Sequence, residues 1–237
     1  MKNLTNNYLF QLPLTTIRNI RNFYFDGFAI KSYAQEGEDI VLKRIFSGQS
    51  TGFYVDVGAH HPMRFSNTYS FYKLGWRGIN IEPNPDSFNL FAKYRPRDIN
   101  LNYGIAKIKG NLEYYMFDEP ALNTFDVEVL NSRKLNTQYK HIKTILIEVM
   151  ALSNVLKEFI PEGTKIDFLS IDVEGLDLEV LMSNDWQKYR PNWVLVEQLN
   201  LKDIEHLDFE IHRYMKSIGY VLFAKTFNTL FYKDSSV

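Results

Sequence analysis

Residues 53–62 read FYVDVGAHHP. The run opens on aromatic and β-branched residues, the composition of a buried strand, and ends on an acid and a glycine. A strand closed in this way is how a nucleotide-binding αβ unit usually begins. The later glycines of G-x-G-x-x-G are missing, and His60, His61 and Pro62 stand where they would be. The ligand must therefore need the acid and the first glycine but not a glycine-rich loop.

Working outward, strand and helix patterns alternate. Upstream, EDIVLKRIF (38–46) puts apolar residues at 40, 41, 42, 45 and 46, a helical face. Downstream, SNTYSFYKLG reads as a helix capped by Ser66 or Asn67 and ended by Gly75. GINIEP is a strand, and NPDSFNLFAKY a helix with Asn84 as cap and Pro85 at its first position. INLNYGIA and LEYYMF read as further strands. Residues 118–142 are polar and without firm period, the kind of long segment that serves as a lid. TILIEVMAL, SNVLKEFI, IDFLSIDVEG, LDLEVLMSN, WVLVEQ and DFEIHRYMKSIG then alternate strand with helix, and YVLFAKTF and TLFYKD close the chain as a hairpin.

This order predicts an α/β, Rossmann-like fold: a mostly parallel sheet covered on both faces, with an antiparallel strand from the C-terminal hairpin. Residues 1–31, interrupted by Pro13 and Gly27, read as an N-terminal extension, an arm through which a homodimer could form. Residues 32–237 read as the catalytic domain.

Composition narrows the function classes. Lys+Arg 27 against Asp+Glu 28 leaves a net charge of -1, so no footprint for nucleic acid is present. With no cysteine, disulfides, thiol catalysis and cysteine-ligated zinc are excluded. That absence fits a cytoplasmic protein, which is the expectation here; no apolar run reaches the length of a membrane span, and the N-terminal residues lack the pattern of a signal peptide. Aromatics, at 15%, fill a core or stack on a flat ligand.

In parallel sheets ligands bind beyond the carboxyl ends of the strands, where strand order reverses. Asp56, Glu82, Asp172 and Glu197 each fall within a residue or two of such an end. An acid after the second strand suits a ribose diol, since one carboxylate accepts from two hydroxyls. A dinucleotide also needs backbone amides close to its pyrophosphate, and His60 and Pro62 obstruct that approach. S-adenosylmethionine has the ribose without the phosphates, so the pattern favours it over NAD. A nucleotide-dependent oxidoreductase and a non-catalytic cofactor-binding protein are the alternatives.

Taken in order, FYVDVGAHHP, SNTYSFYKLGWRGINIEPNP, YMFDEPALNTF and LSIDVEGLDLEVL resemble the FkbM family of S-adenosylmethionine-dependent methyltransferases, with SYAQEGEDIVLKRIF as the usual lead-in. The resemblance implies a class I sheet of seven strands and O-methylation of a hydroxyl, on a carbohydrate or nucleotide-sugar in capsule or lipopolysaccharide biosynthesis. It also implies that Asp56, Gly58 and Ala59 line the methionine and ribose side, that Glu82 holds the ribose, that Gly104 and Ile105 enclose the adenine, and that Gln35 contacts the cofactor from the lead-in.

A sugar hydroxyl is a poor nucleophile, so a base or a metal must help remove its proton. The candidate bases are His60, His61 and Asp172. Asp172 and Glu174 stand two apart and share a face while the strand lasts, and Glu197 ends the neighbouring strand. These three acids could hold magnesium or manganese beside a sugar diol, or Asp172 could be the base and Glu174 orient a second hydroxyl. Asn123 and Thr124, in PALNTF, could bind acceptor hydroxyls together with Glu197.

Overall fold

The computed structural model describes residues 14–25, 27–135, 138–199 and 208–237. They fall into two compact units divided between Lys31 and Ser32. The first contains helix α1 (Leu14–Tyr24), beyond which Phe23 and Phe28 meet edge to face at 5.9 Å.

The second unit starts with helix α2 (Glu38–Ile45) and strand β1 (Phe53–Val57). Helix α3 (Tyr69–Lys73), β2 (Arg77–Ile81), α4 (Pro85–Tyr94) and β3 (Ile99–Leu101) follow. Next come β4 (Gly104–Ile105), β5 (Gly110–Phe117), a 3-10 turn (Pro120–Leu122), α5 (Val127–Leu135) and β6 (His141–Met150). The chain closes with α6 (Leu152–Phe159), β7 (Phe168–Ile171), α7 (Asp177–Met182), β8 (Trp193–Glu197), α8 (Glu210–Ser217), β9 (Tyr220–Lys225) and β10 (Thr229–Asp234). No described helix is long and apolar enough to cross a membrane.

Seven strands form one sheet in the order β3-β2-β1-β7-β8-β10-β9, parallel except for β10, which runs antiparallel to β8 and β9. This is the Rossmann-like sheet that the alternation predicts. Strand order reverses between β1 and β7, so their carboxyl ends open the crevice where ligands bind. The Asn84 side chain accepts from the Asp86 amide at 3.0 Å with Pro85 in the first turn, the cap that the sequence requires; at α3 the N-cap is Thr68 rather than Ser66 or Asn67, and the Ser66 hydroxyl accepts from the Tyr69 amide just ahead of the helix.

Two expectations need correction. INLNYGIA is divided, with β3 in the main sheet and β4 in a second sheet of order β4-β6-β5. LEYYMF and TILIEVMAL pair antiparallel in that second sheet, because only one of its faces packs, around Tyr114, Met116 and Ile147. The supposed lid, 118–142, is mostly ordered as the 3-10 turn and α5, and a backbone bridge ties Thr124 to Tyr115.

The two faces of the main sheet are covered differently. One carries the aliphatic core around Val55, Ile79, Leu169 and Val194; the other carries an aromatic cluster of Phe71, Trp76, Phe168 and Phe231. Beside this second cluster lies a buried ion pair. Arg95 Nε donates to Asp98 at 2.9 Å, and Asp98 also accepts from Tyr54 Oη and Asn80 Nδ2. Arg95 Nη1 donates to the Thr68 hydroxyl, which in turn donates to Asp56 Oδ2 at 2.7 Å. An acid at the crevice is thus linked through one threonine to a guanidinium with no exposed surface. Removing one partner of such a pair leaves an uncompensated buried charge. Asp98→Ala is expected to lower unfolding free energy by about 3–5 kcal/mol in urea titrations; a loss within the range of an ordinary surface substitution would contradict the assignment.

Candidate functional site

The carboxyl ends of β1, β2 and β7 and the segment before α5 line a cleft. Two glycines make its walls possible. Gly58 has φ +77, and a Cβ there would stand 1.8 Å from the Asp172 carbonyl oxygen; the glycine of D-x-G is needed first for the close pass of β7, before any ligand. At Gly104 a Cβ would come within 2.6 Å of the Phe125 ring. Among the described residues, three other than glycine have positive φ, namely His60 (54°), Phe65 (55°) and Glu174 (56°), and all three line this cleft. Such conformations cost energy and collect at functional sites.

On the side of β1 and β2, Glu82 accepts from the His60 amide at 2.6 Å and the Asn84 amide at 2.8 Å, one bond to each oxygen. Each oxygen keeps capacity for a further donor, the arrangement that a ribose diol requires. Burial raises the Glu82 pKa to about 8 against the pull of those two amides. Asp56, buried and bonded to Thr68, is raised to about 6 for the same first reason. Tyr103, Tyr114 and Phe125, with Pro83, give the cleft flat apolar surface suited to an aromatic base. Asn123 presents Nδ2, buried and without a partner, while its Oδ1 accepts from the Phe117 amide.

On the side of β7, Asp172 follows the last strand residue and is exposed to the cleft. Burial, then the nearby Glu197, pushes its pKa well up; burial and Glu174 raise Glu197 to about 8. Glu174 is raised by burial and lowered by the Arg133 guanidinium, whose Nη2 donates to Oε2. One oxygen from each of Asp172, Glu174 and Glu197 lies within 4.8 Å of the others. Glu197 lines a second, more open recess, with Asp177, Glu210 and the ion pair Arg213–Asp208.

The cleft therefore brings together Gln35, Asp56, Gly58, Ala59, His60, Glu82, Gly104, Ile105, Asn123, Asp172 and Glu174. Gln35 is held there by its neighbours: Asp39 accepts from Ser32, Tyr33 and Ser70, and Glu38 from Thr226 and Thr229. Several expectations change. The His61 ring does not line the cleft; its Nδ1 accepts from the amides of Met63 and Arg64 and caps that turn. Thr124 is buried outside it, its hydroxyl donating to the Glu174 carbonyl and accepting from the Asp126 amide, so it positions Glu174 rather than a substrate. Strand β7 ends at Ile171, so Asp172 and Glu174 come together through the left-handed turn at Glu174 and not by strand alternation. His60 has its pKa lowered to about 4 by burial and by Arg64, which keeps the imidazole neutral and makes it a weak base. Tyr114, Phe125 and Phe65 were not legible as site residues, because nothing in a strand or loop pattern tells an aromatic that lines a cleft from one that fills a core.

Two measurements follow. Glu82→Gln keeps the shape and one acceptor but puts an amide nitrogen in place of the second acceptor oxygen, and is expected to weaken a ribose-bearing ligand by about 1–3 kcal/mol in calorimetry; unchanged affinity in a folded variant would remove the assignment. For stability, Asp56 and Glu82 hold protons in the folded state that the unfolded chain has already released at the same pH. Their contribution is complete below the ordinary values of 3.8 and 4.5 and is lost as pH rises through about 6 and about 8. The ligand-free urea midpoint is expected to fall between about pH 5.5 and about pH 8.5; a rise would contradict the burial of these acids.

The family profile of the methyltransferase FkbM domain matches residues 56–222. Comparison with curated proteins gives no match. The profile runs from the end of β1 to the start of β9 and takes in acids on both sides of the cleft, and the chain belongs to the FkbM methyltransferase family.

Proposed function

We propose that this methyltransferase uses S-adenosylmethionine to methylate a carbohydrate hydroxyl, in the assembly of a surface polysaccharide. The observation that carries the cofactor is electrostatic. Four carboxylates line the cleft, those of Asp56, Glu82, Asp172 and Glu174, and no lysine or arginine is among the lining residues described. A dinucleotide would bring a pyrophosphate against these acids with no cation and no glycine-rich amide cradle to receive it, and an uncompensated anion in a partly desolvated cleft is costly. S-adenosylmethionine brings a sulfonium and an ammonium against a single carboxylate. The residues fit it: Glu82 for the diol, the aromatic wall for the adenine, the orphaned Asn123 amide for an acceptor on the ligand.

S-adenosylmethionine, when bound, would supply an electrophilic methyl and a neutral sulfide as leaving group. The chain holds the two reactants in line, the main source of acceleration for such a displacement, and takes up the hydroxyl proton. Asp172 is the residue for that proton, since it opens onto the cleft at the end of β7 and burial, then the neighbouring Glu197, favour its protonated form. The neutral His60 imidazole serves better as a hydrogen-bond partner to the bound molecules. The carbohydrate assignment is supported by the grouped acceptors Asp172, Glu174 and Glu197, which suit a ligand rich in hydroxyls, and by the family resemblance.

Calorimetry is expected to show heat with S-adenosylmethionine and none with NAD; the reverse would restore the oxidoreductase reading. Mass spectrometry of a panel of glycans and nucleotide sugars is then expected to show the gain of one methylene on a hydroxyl. Binding without turnover on every pool would favour a non-catalytic cofactor-binding protein.

A further inference from the structure

We propose that Asp172, Glu174 and Glu197 form a binding site for a hard divalent cation of the magnesium or manganese type, where the cofactor cleft meets the second recess. Two independent features point there. The first is the geometry: one oxygen of each carboxylate lies within 4.8 Å of the others. Oxygens on opposite sides of such an ion are about 4–5 Å apart, so three ligands are already in place.

The second is an acceptor left vacant. Glu197 is only 9% exposed, and its Oε2 has no hydrogen-bond partner. The other buried acids around the cleft are supplied with donors: Glu82 by two amides, Asp56 by Thr68, and Asp177 by the amides of Val173 and Gly175. A buried carboxylate without a donor is costly unless something positive reaches it.

Charge and ligand type select the ion. Once ionised, the three carboxylates with the Arg133 guanidinium, which holds one oxygen of Glu174, sum to two negative charges, which one divalent cation, displacing their protons, neutralises. All three ligands are carboxylate oxygens, without histidine or sulfur, and that set suits magnesium, manganese or calcium rather than zinc or copper. Glu174 is fixed for the task, with its carbonyl bonded by Thr124, its carboxylate by Arg133, and its backbone at positive φ. Three protein ligands leave the remaining positions for water or for neighbouring hydroxyls of an acceptor. Resting on the methyl-transfer reading, the ion would hold the acceptor hydroxyl and lower its pKa, and the second Asp172 oxygen would take the proton.

The test is manganese binding, followed by electron paramagnetic resonance in the full chain with neither cofactor nor acceptor present, so a wrong cofactor or acceptor leaves the result standing. The wild type is expected to bind one manganese at or below about 1 mM, displaced by excess magnesium. Glu197→Gln and Asp172→Asn are each expected to weaken it at least about ten-fold, while Glu162→Gln, at an exposed position, leaves it unchanged. Circular dichroism checks the fold, and the folded variant of the two decides the outcome. No bound manganese in the wild type, or wild-type affinity in Glu197→Gln and Asp172→Asn alike, would overturn the proposal.

Discussion

The site depends on how closely β1 and β7 run where the strand order reverses. The Asp172 amide donates to the Val57 carbonyl at 3.0 Å, and the chain then turns so that the Asp172 carbonyl lies where a side chain on Gly58 would stand. That contact fixes the width of the crevice. Asp56, Gly58 and Glu82 form one lip, and Asp172 and Glu174 the other. Methyl transfer depends on distance and line more than on any strong acid or base, so a rigid separation between the two lips is the part of the fold that matters most.

Into this crevice the chain places acids whose charges are compensated unequally. Those nearest the ribose side have donors of their own, and Asp56 is linked through Thr68 to the buried Arg95–Asp98 pair. Asp172 and Glu197 meet each other through a side-chain hydrogen bond instead. The low local dielectric that strengthens a satisfied group also penalises an unsatisfied one, and any ligand that meets these acids stabilises the folded chain by mass action. Binding and stability are therefore coupled through the same carboxylates.

The segment between β5 and β6 works as a support. Thr124 bridges to Tyr115 and reaches the Glu174 carbonyl, Arg133 on α5 reaches its carboxylate, and Phe125 closes against Gly104. Arg64, with a two-pronged pair to Glu119 at 2.9 and 3.1 Å, ties the loop after β1 to the same segment. A strained turn at Glu174 persists because its surroundings over-determine it.

The strand and helix pattern determined by itself the parallel sheet, the antiparallel C-terminal strand and the edge on which the acids collect, because burial on two faces writes continuous apolar runs and caps write local signals at Asn84 and Gly75. It also placed Asp56, Glu82 and Asp172 at strand ends. Only the tertiary structure decided that β4, β5 and β6 leave the main sheet, since strand patterns do not name their partners. The same holds for the separation of His60 from His61, adjacent in sequence yet turned to different tasks by a left-handed residue. Glu174 and Glu197 stand 23 positions apart in the chain and meet at one point through a turn, an arginine and the order of strands. Long-range contacts of this kind arise from packing, which no local pattern encodes.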